Sequence, residues 1–270
     1  MPKLAANLTM LFTEQPFMER FAAAASAGFS GVEYLFPYAF EAGEIAQALE
    51  QNGLTQALFN LPPGDWDKGE RGLACLPGRE EEFRASVDKA IHYAQRLNCI
   101  RLHMMAGLGS ADDAAAQKTY LHNLCVAAEA AHTHGIQLLI EPINPIDMPG
   151  YFLNTAEQAA DLIAQARAAG APDVIFIQLD LYHRQMTQGR LFEAIRQHLE
   201  QTAHIQIAGV PHRHEPDLHG EVNWPRVLMH LDEVGYHGWV GCEYHPTGDT
   251  RAGLAWATPW LRQPDQENHA

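Results

Sequence analysis

The amino-acid sequence predicts an α/β protein folded as a single (β/α)₈ (TIM) barrel. Three observations predict it. Short β-like runs alternate with helical patterns eight times along 270 residues. The runs LLIEPI, VIFIQLDL and WVGCEY stay apolar almost until a polar residue near their ends; parallel strands buried on both faces read this way. Glycine stands repeatedly where a helix must end. Eight units leave little chain for a second domain, and α/β barrels of about 250 residues form one domain. The barrel is predicted over residues 1–262 and a flexible polar C-terminal tail over 263–270. A doubly wound open sheet is the rival, but the first strand–helix turn lacks a GxGxxG loop.

The elements follow in order. Leu4–Leu8 reads as strand and Thr13–Ala27 as helix, closed by Gly28. Val32–Phe36 is strand and Glu41–Asn52 helix, closed by Gly53. Leu54–Asn60 is strand, then a long loop, then helix over Arg79–Leu97. Cys99–Met105 is strand and Asp112–His134 helix, closed by Gly135. Ile136–Ile143 is strand and Thr155–Ala169 helix, closed by Gly170. Val174–Leu181 is strand, with helix near Leu191–Glu200. Ala203–Ala208 is strand, with helix near Trp224–Val234, closed by Gly235. Gly238–Tyr244 is the eighth strand, with a last helix near Thr250–Leu261. The pairs Ala111-Asp112 and Asn154-Thr155 supply N-caps. The two loops longer than usual, Leu61–Gly78 and Gly209–Asn223, both follow strands, so both belong on the C-terminal face where barrel active sites are built.

Composition narrows the function classes. With 33 acidic against 18 basic residues the net charge is −15. That is the wrong sign for nucleic acid or an anionic membrane surface, and it leaves a small-molecule substrate gripped by local arginines. Cys75, Cys99, Cys125 and Cys242 show no CxxC or zinc-finger spacing, which is reduced, cytosolic usage. The N-terminus is too polar for a signal peptide, and no apolar run approaches the roughly 20 residues of a membrane span. A cytoplasmic protein is expected. Exposed apolar helix faces leave a homo-oligomer open.

A polar residue ending an apolar barrel strand points into the mouth. The strand ends give Asn7, Glu33, Asn60, His103, Glu141, Asp180, Gln206 and Glu243. The last four stand apart as three carboxylates and an amide from four consecutive strands. Carboxylates crowded into one low-dielectric mouth repel, and a divalent cation resolves the repulsion. All-oxygen ligands favour Mg²⁺ or Mn²⁺ over zinc. Glu141, Asp180, Gln206 and Glu243 are therefore the expected metal ligands. Asp147, His183, His212, Arg213 and Arg71 surround them in sequence. Arg71 and Arg213 could merely pair with Glu70 and Glu215, but on mouth loops a guanidinium can also grip a substrate carboxylate bidentately. Nucleophilic schemes fit poorly: there is no GxSxG elbow, and Cys242 should face away from the mouth because its neighbour Glu243 faces in.

The runs AANLTMLF, FNLPPGDWDKGERG, CLPGREEEF, LLIEPIN, IQLDLYH, HIQIAGVPHRHEP, GEVNWP and GWVGCEY resemble the hydroxypyruvate isomerase family, and are similar to its close relative 2-oxo-tetronate isomerase. Both lie in the xylose isomerase-like barrel superfamily, with the ketose 3-epimerases and endonuclease IV. The resemblance spans Leu4 to Trp260. It implies a metal at Glu141, Asp180, Gln206 and Glu243, with Glu141 and Glu243 exchanging the substrate proton. It implies substrate contact by His183. The epimerases carry His where Gln206 stands and Glu where Asp147 stands, so the chain departs from them at both positions.

The implied reaction interconverts hydroxypyruvate and 2-hydroxy-3-oxopropanoate (tartronate semialdehyde) by metal-assisted proton transfer through a cis-enediolate. Arg71, His103, His183, Arg213, Asn7 and Asn60 are the expected substrate contacts. FNLPPGDW, GERG and EPIN favour hydroxypyruvate, whereas RHEP, DEVGYHGW and FTEQPF resemble 2-oxo-tetronate isomerase. A ketose 3-epimerase, a phosphodiesterase of the endonuclease IV type and a silent sugar-acid binder are more distant readings.

Overall fold

Parallel strands need cover on both faces, and alternation of strand with helix supplies it by closing the sheet on itself. The computed structural model describes residues 1–262; the tail expected over 263–270 lies outside the described residues. The strands are β1 (Lys3–Asn7), β2 (Gly31–Tyr34), β3 (Thr55–Asn60), β4 (Arg101–His103), β5 (Gln137–Ile140), β6 (Ile175–Asp180), β7 (Thr202–Ile207) and β8 (Trp239–Cys242). They pair in chain order, and β1 closes in parallel on β8, so no sheet edge is left open. The helices are α1 (Arg20–Ser26), α2 (Ala42–Gln51), α3 (Glu80–Arg96), α4 (Ala114–Thr133), α5 (Ala156–Ala168), α6 (Leu181–Thr187), α7 (Leu191–His198) and α8 (Trp224–Glu233). Among the described residues no helix is long and apolar enough to cross a membrane.

The period-two alternation of strand side chains divides the molecule. Leu138, Ile140, Ile177, Leu179, Ile205, Ile207, Val240 and Cys242 join the large core between strands and helices. The residues between them face the barrel axis. That interior is short of apolar bulk: Ala5, Ala57 and Trp239 form a small separate cluster. Two strand glycines make room inside it. A Cβ on Gly31 would lie 2.5 Å from the Trp239 ring, and one on Gly241 would lie 2.3 Å from a Glu33 carboxylate oxygen.

The expected elements are present with four differences. The first helix does not begin at Thr13: Pro16 is extended (ψ 147°), and a 3₁₀ turn at Phe17–Glu19 precedes α1. Proline cannot donate within a helix and disfavours helix in the residue before it. The cap of α4 is Asp113, which accepts from Ala115 N–H at 2.9 Å; Asp112 instead donates its N–H to Ser110. α6 was not expected; it starts directly on the last residue of β6. The final helix is 3₁₀ over Ala252–Trp260, with Pro259 inside it. Gly28, Gly53, Gly135, Gly170 and Gly235 all take positive φ after their helices, the conformation a helix C-terminus asks of glycine.

Candidate active site at the barrel mouth

Strand ends place the acids. Asp180 ends β6 and also caps α6, its Oδ1 accepting from Tyr182 N–H at 2.7 Å and His183 N–H at 3.4 Å. Its Oδ2 is buried without a hydrogen-bond partner, as is Oε1 of Glu141 just beyond β5. His183 presents Nε2 to both, at 3.6 Å from Asp180 Oδ2 and 3.9 Å from Glu141 Oε1. One ligand atom from each of Glu141, Asp180 and His183 falls within 4.8 Å of the others.

Glu243 follows β8 and faces Arg213. The loop after β7 doubles back, with Arg213 at φ +57°, its N–H bonded to Gly209 and its carbonyl accepting from His245. Its Nη2 thereby reaches Glu243 Oε1 at 2.7 Å and stands 3.8 Å from Asp180 Oδ2. Glu243 Oε2 accepts from Asn7 Nδ2 at 3.1 Å and, at a short contact, from Gln206 Nε2.

Below these lies Glu33 on β2, 1% exposed. Its carboxylate accepts from His204 Nε2 at 2.6 Å, Gln206 Nε2 at 2.8 Å and Asn7 Nδ2 at 3.0 Å. Gln206 Oε1 accepts from Gln178 Nε2 at 2.7 Å. A second group flanks the mouth. Asn144 Nδ2 meets His183 Nδ1 at 2.6 Å, and the Tyr182 hydroxyl donates to Asp147 at 2.8 Å. His103 Nδ1 lies 3.1 Å from Asn60 Oδ1 and 3.6 Å from Glu141 Oε2.

Four carboxyl groups thus meet one guanidinium, and their protonation shows the strain. Burial pushes Glu141 well above the usual carboxylate range, and Glu243 and Asp180 add to the rise. Burial pushes Glu243 up to about 8 against the pull of Arg213, and Asp180 up to about 6 against Arg213 and the two α6 amides. Burial holds His103 down to about 3, with His204 contributing, and holds His183 well below the usual imidazole range, with Arg213 adding to it. A divalent cation is the complement such a set asks for. The two partnerless oxygens, Glu141 Oε1 and Asp180 Oδ2, fit that demand.

The ten residues expected at the site divide, with His183 set between Glu141 and Asp180. Glu141, Asp180, Gln206, Glu243, Arg213 and Asn7 interlock through direct contacts, and His103 brings Asn60 in behind Glu141. Gln206 turns its amide nitrogen, not its oxygen, toward Glu243 and Glu33. Arg213 pairs with Glu243 rather than Glu215, whose carboxylate accepts from Thr247. Arg71 stacks 3.8 Å over the Trp66 ring and donates to the carbonyls of Trp66 and Glu70; the Glu70 carboxylate is taken by Arg79. Sequence reasoning left Glu33 without a role and missed His204, Gln178, Asn144 and Tyr182. His204 and Gln178 were findable, since each lies two residues before an expected ligand on the same strand face.

Comparison with known proteins identifies the family. A family model described as xylose isomerase-like TIM barrel matches residues 21–263. The chain is 49% identical to a 2-oxo-tetronate isomerase of Cupriavidus necator, covering 97% of this chain and 99% of that one. It is 43% identical to the hydroxypyruvate isomerase of Escherichia coli, covering 96% and 100%. A crystal structure from Brucella melitensis, described as an AP endonuclease of family 2, superposes with a TM-score of 0.93 at 49% identity, covering 97% and 100%. The chain belongs to the hydroxypyruvate isomerase family within the xylose isomerase-like TIM barrels, and it is an isomerase.

Proposed function

We propose that this chain catalyses an aldose–ketose shift in a short hydroxy-oxo acid through a cis-enediolate, with Glu141 and Glu243 as the proton carriers. The observation that carries the reading is the pair of carboxyl groups three strands apart around one mouth, both raised by burial. An acid–base group must sit within reach of the proton it moves, and both carboxyls open on the same mouth. One glutamate takes the proton from the hydroxyl-bearing carbon. The C–H electron pair becomes the C=C bond, and charge gathers on the neighbouring carbonyl oxygen. A proton is then delivered to the former carbonyl carbon, and the proton of the original hydroxyl passes to the former carbonyl oxygen, so that one becomes the new carbonyl and the other the new hydroxyl.

Glu141 and Asp180 would hold the divalent ion, Mg²⁺ or Mn²⁺ by the hardness of the donors, with Glu243 beside them; Gln206, whose Oε1 accepts from Gln178, would have to reverse its amide to serve as the fourth expected ligand. When bound, the ion polarises the carbonyl and stabilises the enediolate charge. Arg213, already among the acids, and Arg71, on the opposite mouth loop, supply guanidinium groups for the substrate carboxylate.

Hydroxypyruvate, giving 2-hydroxy-3-oxopropanoate, is the substrate that the motifs of the long third loop favour. The four-carbon 2-oxo-tetronate undergoes the same shift, and the higher whole-chain identity, 49% against 43%, favours it. Side-by-side kcat/KM on the two acids decides between them. Substituting Glu141→Gln or Glu243→Gln should lower kcat by about 10²- to 10⁴-fold. Near-normal turnover in either variant, with metal bound, would remove that glutamate from proton transfer.

A further inference from the structure

The Glu141–Asp180–His183 group can be read in two ways, with His183 as a metal ligand or as a hydrogen-bond donor. The difference is where its proton sits. A ligating nitrogen must carry a free lone pair, whereas a donor must carry the hydrogen. The side chain that decides this lies behind the ring, in the loop after β5. Asn144 Oδ1 accepts from two backbone groups, Ile146 N–H at 3.0 Å and Asp147 N–H at 2.8 Å. Pro145, directly after Asn144, has no N–H to compete, and such an Asx turn fixes which end of the amide points where. The Nδ2 end is therefore the one that meets His183 Nδ1 at 2.6 Å, and it also reaches Asp147 Oδ2 at 3.2 Å. Asn144 is fully buried and His183 is 3% exposed, so water does not relieve a mismatch.

We propose that Asn144 is a positioning residue that locks His183, the histidine the family resemblance assigns to substrate contact, as the neutral tautomer with its proton on Nε2. An amide N–H₂ can only donate, so His183 Nδ1 must accept, and an imidazolium would set hydrogen against hydrogen. The remaining proton sits on Nε2, the atom facing Glu141 and Asp180. A neutral imidazole aimed at a carbonyl is an effective electrophile for enediolate chemistry, because it stabilises developing oxygen charge without burying another ion. This assignment rests on the enediolate reading of the mouth for its purpose, but not for its geometry.

The test is the imidazole ¹⁵N–¹H correlation spectrum of Mg²⁺-loaded, ¹⁵N-histidine-labelled protein, with His183→Asn identifying the signal. The wild-type ring is expected to show hydrogen on Nε2 only. Asn144→Asp replaces the donor with an acceptor and should move the hydrogen to Nδ1, while kcat falls about a hundredfold and KM changes less than about threefold. If Asn144→Asp does not fold, Asn144→Ala should show a mixture of both tautomers. Hydrogen on Nδ1 in the wild type, or a tautomer unchanged in both variants, overturns the proposal. The spectrum needs no substrate, so an inactive enzyme would defeat the isomerase reading and leave this result standing.

Discussion

Arg213 is the cation placed among the mouth carboxylates, and neutralising it separates two roles. Arg213→Met keeps an apolar stem but removes the guanidinium, which stands 5.2 Å from the centre of the Tyr182 ring, and with it the charge that opposes the rise of Glu243 and Asp180. The expected result is a loss of kcat/KM of about 10²-fold or more, since a buried charge-assisted contact is worth roughly 2–5 kcal/mol. Steady-state kinetics on both acids checks it; a loss under about threefold would place the substrate carboxylate elsewhere. Arg71→Gln is the companion, expected to raise KM about tenfold with kcat little changed. An unchanged KM would leave Arg71 as a loop prop stacked on Trp66. These two residues show how far single positions can be read from sequence. Their presence on mouth loops was legible. Their partners were not, because Arg213 reaches Glu243 only through a loop that reverses at positive φ, which sequence distance to Glu215 does not reveal. Asn144 was hidden similarly: its importance lies in which backbone groups hold its oxygen.

At the level of elements, strand and helix positions were legible because apolar period and glycine stops report burial and backbone directly. α6 was not, since its seven residues carry no full amphipathic pattern and its cap is Asp180, already assigned to the site. The strand glycines carry a testable consequence. Gly31 has no positive φ, so Gly31→Ala acts through packing alone, with its Cβ 2.5 Å from Trp239 Cζ3. Overpacking of this kind costs about 1–3 kcal/mol, and should appear as a lower urea midpoint with an unchanged m-value. Trp239→Phe removes the part of the ring that the methyl meets. In the double variant the two costs should fall short of their sum. Strict additivity would mean that Gly31 and Trp239 do not share this space.

The whole barrel stores its electrostatic demand in one place, so its stability without metal should depend on pH in a direction opposite to an ordinary paired carboxylate. Asp180 and Glu243 are raised from 3.8 and 4.5 to about 6 and about 8. The folded chain therefore binds protons that the unfolded chain has released, and stability falls as pH rises wherever that holds. Their contribution is fully present below the unfolded values and is lost as the pH passes about 6 and then about 8. The buried His103 and His183, held neutral in the folded chain, oppose this trend below about pH 6.5, so it is from pH 7 to pH 9 that a metal-free sample should melt at steadily lower temperature. The net charge of −15 pushes in the same direction through surface repulsion, but added salt screens that part and leaves the buried part. Mg²⁺ or Mn²⁺ competes with these protons for the same oxygens. At one hundred times its Kd the ion adds about 2.7 kcal/mol, or roughly 5–10 °C for a chain of this size. The rise should be largest near pH 8 and shrink toward pH 5, where protons already occupy the carboxyls. A thermal shift by the ion that is equal at both pH values would place the cation outside this cluster. A metal-free melting temperature flat across the range at high salt would mean that the four acids are paired among themselves, without the deficit that asks for an ion.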